Sequence, residues 1–458
     1  MNKLRRKVKE NKKLARKIYS NQRGITLIVL VVTIVVLLIL AAVTISAVFD
    51  DGGIMNKAKD AQNKMNEGIE RDKNDINTLA NILKNITDGE ENPLITDSSL
   101  KSNDRTTTES KTVIAKDKKG NQVVLPGGFK IASDSGETVQ QGVVIEDKAG
   151  NQFVWVPVSN INNDGSNKII KDDGSKVEIT LGRYTFKRVK NSTTNLYEDG
   201  TPTLIQKGSE YAEVTAVNVA NGTVNTNYKI ENYYYELSDK NRISNEESGT
   251  TGTNTTAKDL EAFINKTKAN KGFYIARYEA SYGSGYNSSG TTTAEKYGNA
   301  KPLSKVSTAN SESSMNYTKG TLWNFISEPQ AALVSQNMYK NDSYVESDLV
   351  NSYAWDTAIV YIQAMGNSNY ANADRGTNTT LKNTGETGDE KCKIFDMAGN
   401  TAEWTTEYST FATSSSASTC TIRGGYYYDS YNETSFRGGI NATYSTVINS
   451  FRPLLYVK

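Results

Sequence analysis

An uncharged apolar segment near the N-terminus most constrains what this chain can fold into. Residues 25–49 read ITLIVLVVTIVVLLILAAVTISAVF and contain no charged side chain. As a helix this segment would be about 37 Å long, which exceeds the ~30 Å hydrocarbon core of a bilayer. It is also too long for the apolar region of a typical secretory signal peptide. The sequence therefore predicts a single membrane-spanning helix.

Charge is divided unevenly around this segment. Residues 1–24 hold ten basic side chains and one acidic one, a net charge of +9, whereas the whole chain carries only +2. Because basic flanks remain on the cytoplasmic side of a membrane, we expect residues 1–24 in the cytoplasm and the C-terminal part outside the cell, at the cell surface. The remainder carries −7, so nucleic acid is not expected as a partner.

The chain divides into four predicted segments. The helix continues beyond the bilayer to residue 86, because apolar residues recur there at three- and four-residue steps between charged ones. This stripe needs a partner, either the chain's own globular domain or neighbouring copies. Residues 87–112 are polar and poor in aromatics, as in flexible linkers. The predicted organisation is a leader (1–24), a transmembrane and amphipathic helix (25–86), a linker (87–112) and a large domain (113–458).

The N-terminus resembles that of type IV prepilins and pseudopilins. A basic leader ends in Arg23-Gly24, and the apolar helix follows at once from Ile25. The resemblance implies that a prepilin peptidase cuts between Gly24 and Ile25, that the new N-terminus is methylated, and that other pilin subunits are partners. The family usually has glutamate at the fifth mature position, where this chain has Val29, so polymerisation is less expected than processing. An uncleaved signal-anchor is the alternative.

The sequence of the large domain predicts a mixed α+β fold with little regular structure. DKKGNQVV at 117–124 and DKAGNQFV at 147–154 predict two similar hairpins, since each places Gly-Asn between a charged turn and an apolar run. Apolar spacing predicts further strands and two helices. The strands are expected at 153–156, 176–181 and 272–281, and the helices at 328–338 and 355–365.

The residue inventory limits the available chemistry. The chain has no histidine, which excludes Ser-His-Asp catalysis, His-ligated zinc and a histidine pH switch. Its two cysteines, Cys392 and Cys420, are too few for a disulfide framework or an all-cysteine zinc site. Outside the cell these two could form one disulfide. Two independent buried thiols are the alternative.

Three ordered motifs resemble the sulfatase-modifying-factor family, the formylglycine-generating-enzyme domain. They are IFDMAGNTAEWT at 394–405, IRGGY at 422–426 and SFRP at 450–453. The resemblance covers about 115–458 and implies a C-type-lectin-like fold. Tyr426 stands where the family has serine and Ser450 where it has glycine. Arg423 and Arg452 are expected in buried ion pairs or hydrogen bonds rather than at a substrate.

The first motif also suggests a calcium site. Two carboxylates and turn carbonyls supply the hard oxygen ligands that calcium prefers, and the resemblance assigns the ligands as Asp396, Gly399, Thr401 and Glu403. The alternative is a turn whose carboxylates cap backbone amides without a metal.

Copper is not expected. The family's oxidases bind it through two thiolates after the R-G-G motif, and those positions fall at about Asp429 and Thr434 here. Hard oxygen ligands do not replace sulfur for Cu(I). We therefore expect no formylglycine-generating activity.

These features together favour a surface-displayed, membrane-anchored or pilus-associated binding protein. The segment after R-G-G is rich in tyrosine, which supplies large contact area at low entropy cost, beside polar residues that supply adaptable hydrogen bonds. The expected ligand, an extracellular protein or a glycan, would contact Tyr426, Tyr427, Tyr428, Asp429, Tyr431 and Asn432. The alternatives are a formylglycine-generating oxidoreductase acting on a cysteine of a target protein, and a structural minor pilin.

Overall fold

The protein is described by a computed structural model. The described residues are 32–37, 62, 65, 111–159, 168–194, 196–209, 234–236, 260–409, 412–413, 416–417, 420–429 and 433–458. The chain divides into two compact units, Met1–Glu90 and Glu91–Lys458, and that boundary falls inside the predicted linker.

Little of the first unit is described. Residues 32–37, within the predicted membrane-spanning segment, are helical, and the apolar side chains among them are exposed. Within the described part of the chain, no helix combines the length and apolarity needed to cross a bilayer. The rest of the predicted helix, together with Gly24, Ile25 and Val29, lies outside the described residues.

The second unit is rich in strands and has few helices, as the α+β prediction requires. Its helices are α1 (Leu260–Asn270), α2 (Thr293–Tyr297), α3 (Glu328–Met338) and α4 (Ser352–Ala364), with a 3-10 turn at Tyr370–Asn372. Its strands are β1 (Val113–Lys116), β2 (Gln122–Leu125), β3 (Phe129–Ile131), β4 (Val144–Asp147), β5 (Gln152–Pro157), β6 (Ile169–Ile170), β7 (Lys176–Val177), β8 (Gly182–Phe186), β9 (Val189–Lys190), β10 (Tyr197–Glu198), β11 (Pro202–Lys207), β12 (Tyr234–Tyr235), β13 (Gly272–Ala276), β14 (Ser281–Ser284), β15 (Lys301–Leu303), β16 (Val345–Leu349), β17 (Glu390–Lys391), β18 (Ile394–Phe395), β19 (Ala402–Ser409), β20 (Ala412–Thr413), β21 (Ser416–Ala417), β22 (Cys420–Arg423), β23 (Arg437–Ile440), β24 (Asn449–Phe451) and β25 (Pro453–Val457).

Two larger sheets organise this unit. One has six strands in the order β16-β25-β13-β5-β4-β3, and its pairings are antiparallel. The other has the order β12-β19-β22-β23, and β24 adds to β19 in parallel. The remaining described strands form two-stranded pairs.

Both predicted hairpins are confirmed, and the same turn builds them. β1 pairs with β2, and β4 pairs with β5. In the first turn the Asp117 carboxylate accepts from the backbone N–H and the side-chain amide of Asn121, at 2.8 and 2.9 Å. In the second, Asp147 accepts from the same two groups of Asn151, at 2.9 and 2.8 Å. Aspartate and asparagine favour such turns because their short side chains bond to nearby backbone.

The helix predictions are also confirmed, with one shifted boundary. α3 covers the predicted residues, and Gln330 accepts a hydrogen bond from the backbone N–H of Ser327 just before it. α4 begins three residues earlier than predicted, because the side chain of Asn351 accepts from the backbone N–H of Ala354 at 2.9 Å and caps the helix there.

Two strand predictions were too long. The stretch 272–281 divides into β13 and the start of β14, because buried Arg277 and Glu279 leave the sheet for partners elsewhere: Arg277 pairs with Asp134 at 2.8 Å, and Glu279 bonds to the backbone of Thr401. Of 176–181, only Lys176–Val177 is a strand.

The core consists of two hydrophobic clusters. The larger lies on the six-stranded sheet, α1 and α4, and includes Trp155 and Trp355. The smaller includes Trp323 and Trp404 and brings α3 against the five-stranded sheet. All four tryptophans are fully buried, so core packing accounts for each of them.

Candidate functional site

The three family-like motifs meet at one place in the second unit. The backbone N–H of Gly399 donates to the carbonyl of Gly424 at 2.8 Å, and that of Tyr427 donates to the carbonyl of Asn400 at 2.9 Å. Along β19, Glu403 lies beside Arg423 of β22 on one side and beside Ser450 of β24 on the other. Segments far apart in the sequence therefore form a single framework.

Arg452 and Glu403 form a fully buried ion pair inside this framework. Arg452 donates to both carboxylate oxygens of Glu403, at 3.0 and 2.6 Å. Its remaining donors reach the carbonyls of Ala276 and Phe395, at 2.9 and 2.8 Å. These bonds join β13 and β18 to β19 and to the residue between β24 and β25, so Arg452 has the structural part expected of it.

A second buried network surrounds Arg423. Asp356 accepts from Arg423 at 2.7 Å and also from Arg437. Glu407 accepts from Arg183 at 2.6 Å, from Arg437 at 3.0 Å and from Arg423 at 3.4 Å. Burial alone would raise the pKa of Glu407, but the three arginines outweigh it and hold that pKa at about 2. Arg423 is thus confirmed in a buried ion network.

Glu279 was not predicted from the sequence, yet it is central to the first motif. It is fully buried. Its carboxylate accepts from the backbone N–H of Thr401 at 3.0 Å, from the Asn400 amide at 2.5 Å and from the Thr384 hydroxyl at 3.2 Å. Burial, and then the charges of neighbouring carboxylates, raise the pKa of Glu279 well above its usual value. Only its placement between apolar residues of a strand-like stretch hinted at such a position.

Asp396 begins the D-M-A-G-N turn, but it does not bond to Asn400 as the hairpin aspartates bond to their asparagines. Its carboxylate instead accepts from the backbone N–H of Gly385 at 2.6 Å and from the Thr387 hydroxyl at 2.5 Å. Burial raises the pKa of Asp396 to about 6, although these hydrogen bonds and Arg452 oppose the shift.

The predicted calcium ligands have separate partners in this arrangement. Both oxygens of Glu403 bind Arg452, and both oxygens of Asp396 bind Gly385 and Thr387. The hydroxyl of Thr401 bonds to Glu279 and Ser450, whereas the prediction gives the ligand role at Gly399 and Thr401 to their backbone carbonyls. Among the described residues no group of three or more Cys, Asp or Glu is placed to hold a metal ion. Calcium stays a prediction, and this arrangement gives it no support.

The predicted ligand-contacting tyrosines form a small aromatic surface after β22. The ring of Tyr428 lies edge-to-face with Tyr426 at 4.6 Å and with Tyr427 at 5.0 Å between centroids. Tyr428 is 56 % exposed, while Tyr426 also packs against the smaller core cluster. We call Tyr426, Tyr427 and Tyr428 the tyrosine surface.

Two neighbours extend this surface. The Tyr426 hydroxyl bonds to Asp429; burial, followed by the charge of Asp429, raises the pKa of Tyr426 to about 12. Tyr444, which is 44 % exposed, also contributes to that shift. Tyr431 and Asn432 lie outside the described residues.

The two cysteines are free thiols in this structure. Cys392 packs against the larger core cluster and Cys420 belongs to the smaller one. The Cys420 thiol contacts Glu328 at 3.4 Å. The predicted disulfide between Cys392 and Cys420 is therefore not formed in this structure, where the two residues belong to different clusters.

The two positions that correspond to the family's copper thiolates hold no sulfur. Asp429 lies at the tyrosine surface, and Thr434 is fully buried, with its hydroxyl donating to the Ala373 carbonyl at 3.1 Å. The Thr434 carbonyl accepts from the indole N–H of Trp355 at 3.0 Å. Thr434 thus anchors the backbone to α4.

Comparison of the chain with protein-family models, with curated proteins and with solved structures finds no match.

Proposed function

We propose that this chain is a surface-displayed binding protein, membrane-anchored or pilus-associated, that uses a catalytically inactive formylglycine-generating-enzyme-like domain with a C-type-lectin-like fold. The resemblance of the three motifs supports the fold assignment, and their meeting in one framework is consistent with it. The ligand is an extracellular protein or a glycan.

The tyrosine surface is the observation that carries the proposal. Three adjacent aromatic side chains are partly exposed. Two backbone hydrogen bonds fix the segment that carries them: the Gly424 carbonyl accepts from Gly399, and the Tyr427 N–H donates to the Asn400 carbonyl. Rigid, amphipathic aromatic side chains lose little entropy on binding and bury large areas. Such an arrangement suits recognition better than catalysis.

The residue types support an inactive domain. Asp429 and Thr434 stand at the thiolate positions, and the sequence has no histidine to bind iron in their place. The copper chemistry of the family's oxidases, and the iron chemistry of a related branch that binds its metal with histidines, therefore both lack their ligands here.

The test is binding of the full-length chain, in detergent micelles, to arrays of glycans and of extracellular proteins. Tyr427→Ala/Tyr428→Ala should weaken binding of any hit by ten-fold or more, since aromatic anchors dominate such interfaces. The control is Val306→Ala, which shortens a 57 % exposed apolar side chain elsewhere and should leave binding unchanged.

Two results would overturn the proposal. One is equal binding by the double variant and the wild type. The other is tight Cu(I) binding with conversion of a cysteine peptide to formylglycine, which would establish the oxidoreductase instead.

The mature N-terminus tests the anchoring part of the proposal. Mass spectrometry of the protein isolated from its own cells should find a methylated Ile25 if the pilin route is used. An intact Met1 would leave an uncleaved signal-anchor, and the domain would then be displayed from the membrane without entering a pilus.

A further inference from the structure

A cavity of about 430 Å³ lies between the first hairpin, the end of β5 and the β6–β7 pair. Four lysines line it: Lys116, Lys168, Lys176 and Lys271. All four side chains are solvent-exposed, so their ammonium groups can stay charged at the rim. No aspartate or glutamate is among the described residues that line the cavity.

The neutral polar groups of the cavity hold its walls together. The Asn121 amide donates to the Ile170 carbonyl at 2.8 Å, and its oxygen accepts from the Ile170 N–H at 2.8 Å. The Ser159 hydroxyl accepts from the backbone N–H of Ile179 at 2.8 Å. These bonds fix β6 to the first hairpin, so the cavity is part of the folded framework.

The acidic residue next to Lys116 is already engaged. The carboxylate of Asp117 accepts from the backbone N–H groups of Lys119 and Asn121, each at 2.8 Å, and from that of Val139 at 2.7 Å. Asp117 is buried in its turn. These donors are neutral, so Asp117 keeps its charge, but its oxygens are directed into the turn and the four lysines that line the cavity outnumber it.

The cavity also has an apolar part. Val158 and Ile169 are buried and Ile170 is half-buried, and all three contribute to the lining. A concave site with an apolar wall and a few polar groups is the usual form of a small-molecule site, and this volume lies within the usual range.

We propose that this cavity binds a phosphate or sulfate monoester of a sugar-sized molecule. Lysine ammonium groups bind such oxyanions through charge-assisted hydrogen bonds. Four like charges around one concavity concentrate positive potential there. The apolar wall fits the face of the esterified group. This site shares no residue with the tyrosine surface, so it goes beyond the function proposed above.

Isothermal titration calorimetry on the full-length chain in detergent micelles tests the proposal, with glucose 6-phosphate as the probe. Glucose 6-phosphate should bind and neutral glucose should not, and raising NaCl from 0.05 to 0.5 M should weaken binding because salt screens exposed charges. Inorganic phosphate distinguishes the two sources of oxyanion. Weaker binding of inorganic phosphate than of glucose 6-phosphate would support an ester as the ligand. Equal binding would assign the cavity to the free ion and overturn the proposal of an ester.

A matched pair of variants locates the binding. Lys168→Gln/Lys176→Gln should lower the affinity for glucose 6-phosphate at least ten-fold. Lys319→Gln/Lys340→Gln removes the same charge from exposed positions outside the cavity and should retain wild-type affinity. Thermal unfolding of both variants checks that they fold. Absence of glucose 6-phosphate binding by the wild type, or equal losses of affinity in the two variants, would overturn the proposal. Neither result would bear on the function proposed for the tyrosine surface.

Discussion

Arg452 shows how far this domain depends on single buried charges. Its guanidinium bonds to Glu403 and to two carbonyls from other strands, and Arg452, Glu403 and Ala276 are all fully buried. A buried ion pair of this kind adds little stability compared with well-packed apolar residues. Removing one partner, however, leaves the other charge unpaired in the interior. The position is therefore sensitive to replacement, whatever the domain binds.

Arg452→Met should lower the free energy of unfolding by about 3–5 kcal/mol, because Glu403 would lose the cationic partner that it has among the described residues. Glu403→Met/Arg452→Met should cost less than the single change. Urea denaturation followed by tryptophan fluorescence measures both. Lys118→Gln, in an exposed ion pair with Glu137, serves as the control and should cost under about 1 kcal/mol. Equal losses for Arg452→Met and the control would contradict the structural role.

Two of the residue-level predictions made from the motifs are confirmed. Arg423 and Arg452 stand in such motifs, and both are in buried ion pairs. Arg183, Glu279 and Glu407 have no local pattern to distinguish them, since each has a partner more than a hundred residues away in the sequence. Only the folded chain brings these charges together, so a single sequence could not reveal them.

Turns are the elements that the sequence specified best. The D-K-x-G-N pattern predicted both hairpins because aspartate, glycine and asparagine each act on their own neighbourhood. The same five-residue spacing recurs at Asp396–Asn400. There the side chains bond to Gly385 and Glu279 instead, because tertiary partners outcompete the local bonds. Strand lengths were less predictable, since buried charges at 277 and 279 interrupt the apolar run.

Two glycines with positive φ allow the cost of backbone strain to be distinguished from the cost of a steric clash when a Cβ is added. At Gly120, φ is +85° and a Cβ would meet nothing within 4 Å; at Gly142, φ is +91° and a Cβ would lie 2.0 Å from the Cys392 carbonyl oxygen. Gly120→Ala should cost about 1–2 kcal/mol from the left-handed conformation alone. Gly142→Ala should cost about 3–5 kcal/mol, since overpacking adds to that strain.

Thermal or urea unfolding of the two variants measures the difference. Gly120→Ala is the built-in control, because it introduces the same methyl group at a similar φ without a neighbour. Equal losses would contradict the close approach of the β3–β4 connection to Cys392.

At the scale of the whole molecule, buried carboxylates impose opposing pH dependences. Burial raises the pKa of Asp396 to about 6, whereas three arginines hold the pKa of Glu407 at about 2. A carboxyl whose pKa is raised by folding stabilises the fold below its unfolded pKa, and that contribution is lost as the pH rises through the folded value. A carboxyl whose pKa is lowered behaves in the opposite way and destabilises the fold only in strong acid.

Asp396→Asn should therefore change the slope of stability against pH. Relative to the variant, the wild type should lose on the order of 2 kcal/mol between pH 4 and pH 7, as the Asp396 pKa moves from 3.8 to about 6 on folding. Urea unfolding at a series of pH values gives the slope. Glu312→Gln, at an exposed position, is the control and should retain the wild-type slope. Parallel curves for wild type and Asp396→Asn would contradict the prediction.

The placement of β24 and β25 has a consequence for biosynthesis. β25 lies between β16 and β13 inside the six-stranded sheet, and β24, a single residue earlier in the chain, pairs with β19 of the other sheet. Each sheet therefore lacks one strand until the ribosome has synthesised residues 449–457. The nascent domain therefore cannot reach its complete fold before these residues are added. For a chain that crosses a membrane, as proposed, this delay keeps the domain unfolded enough to pass through a narrow translocation channel. The domain would then complete its folding on the other side of the membrane.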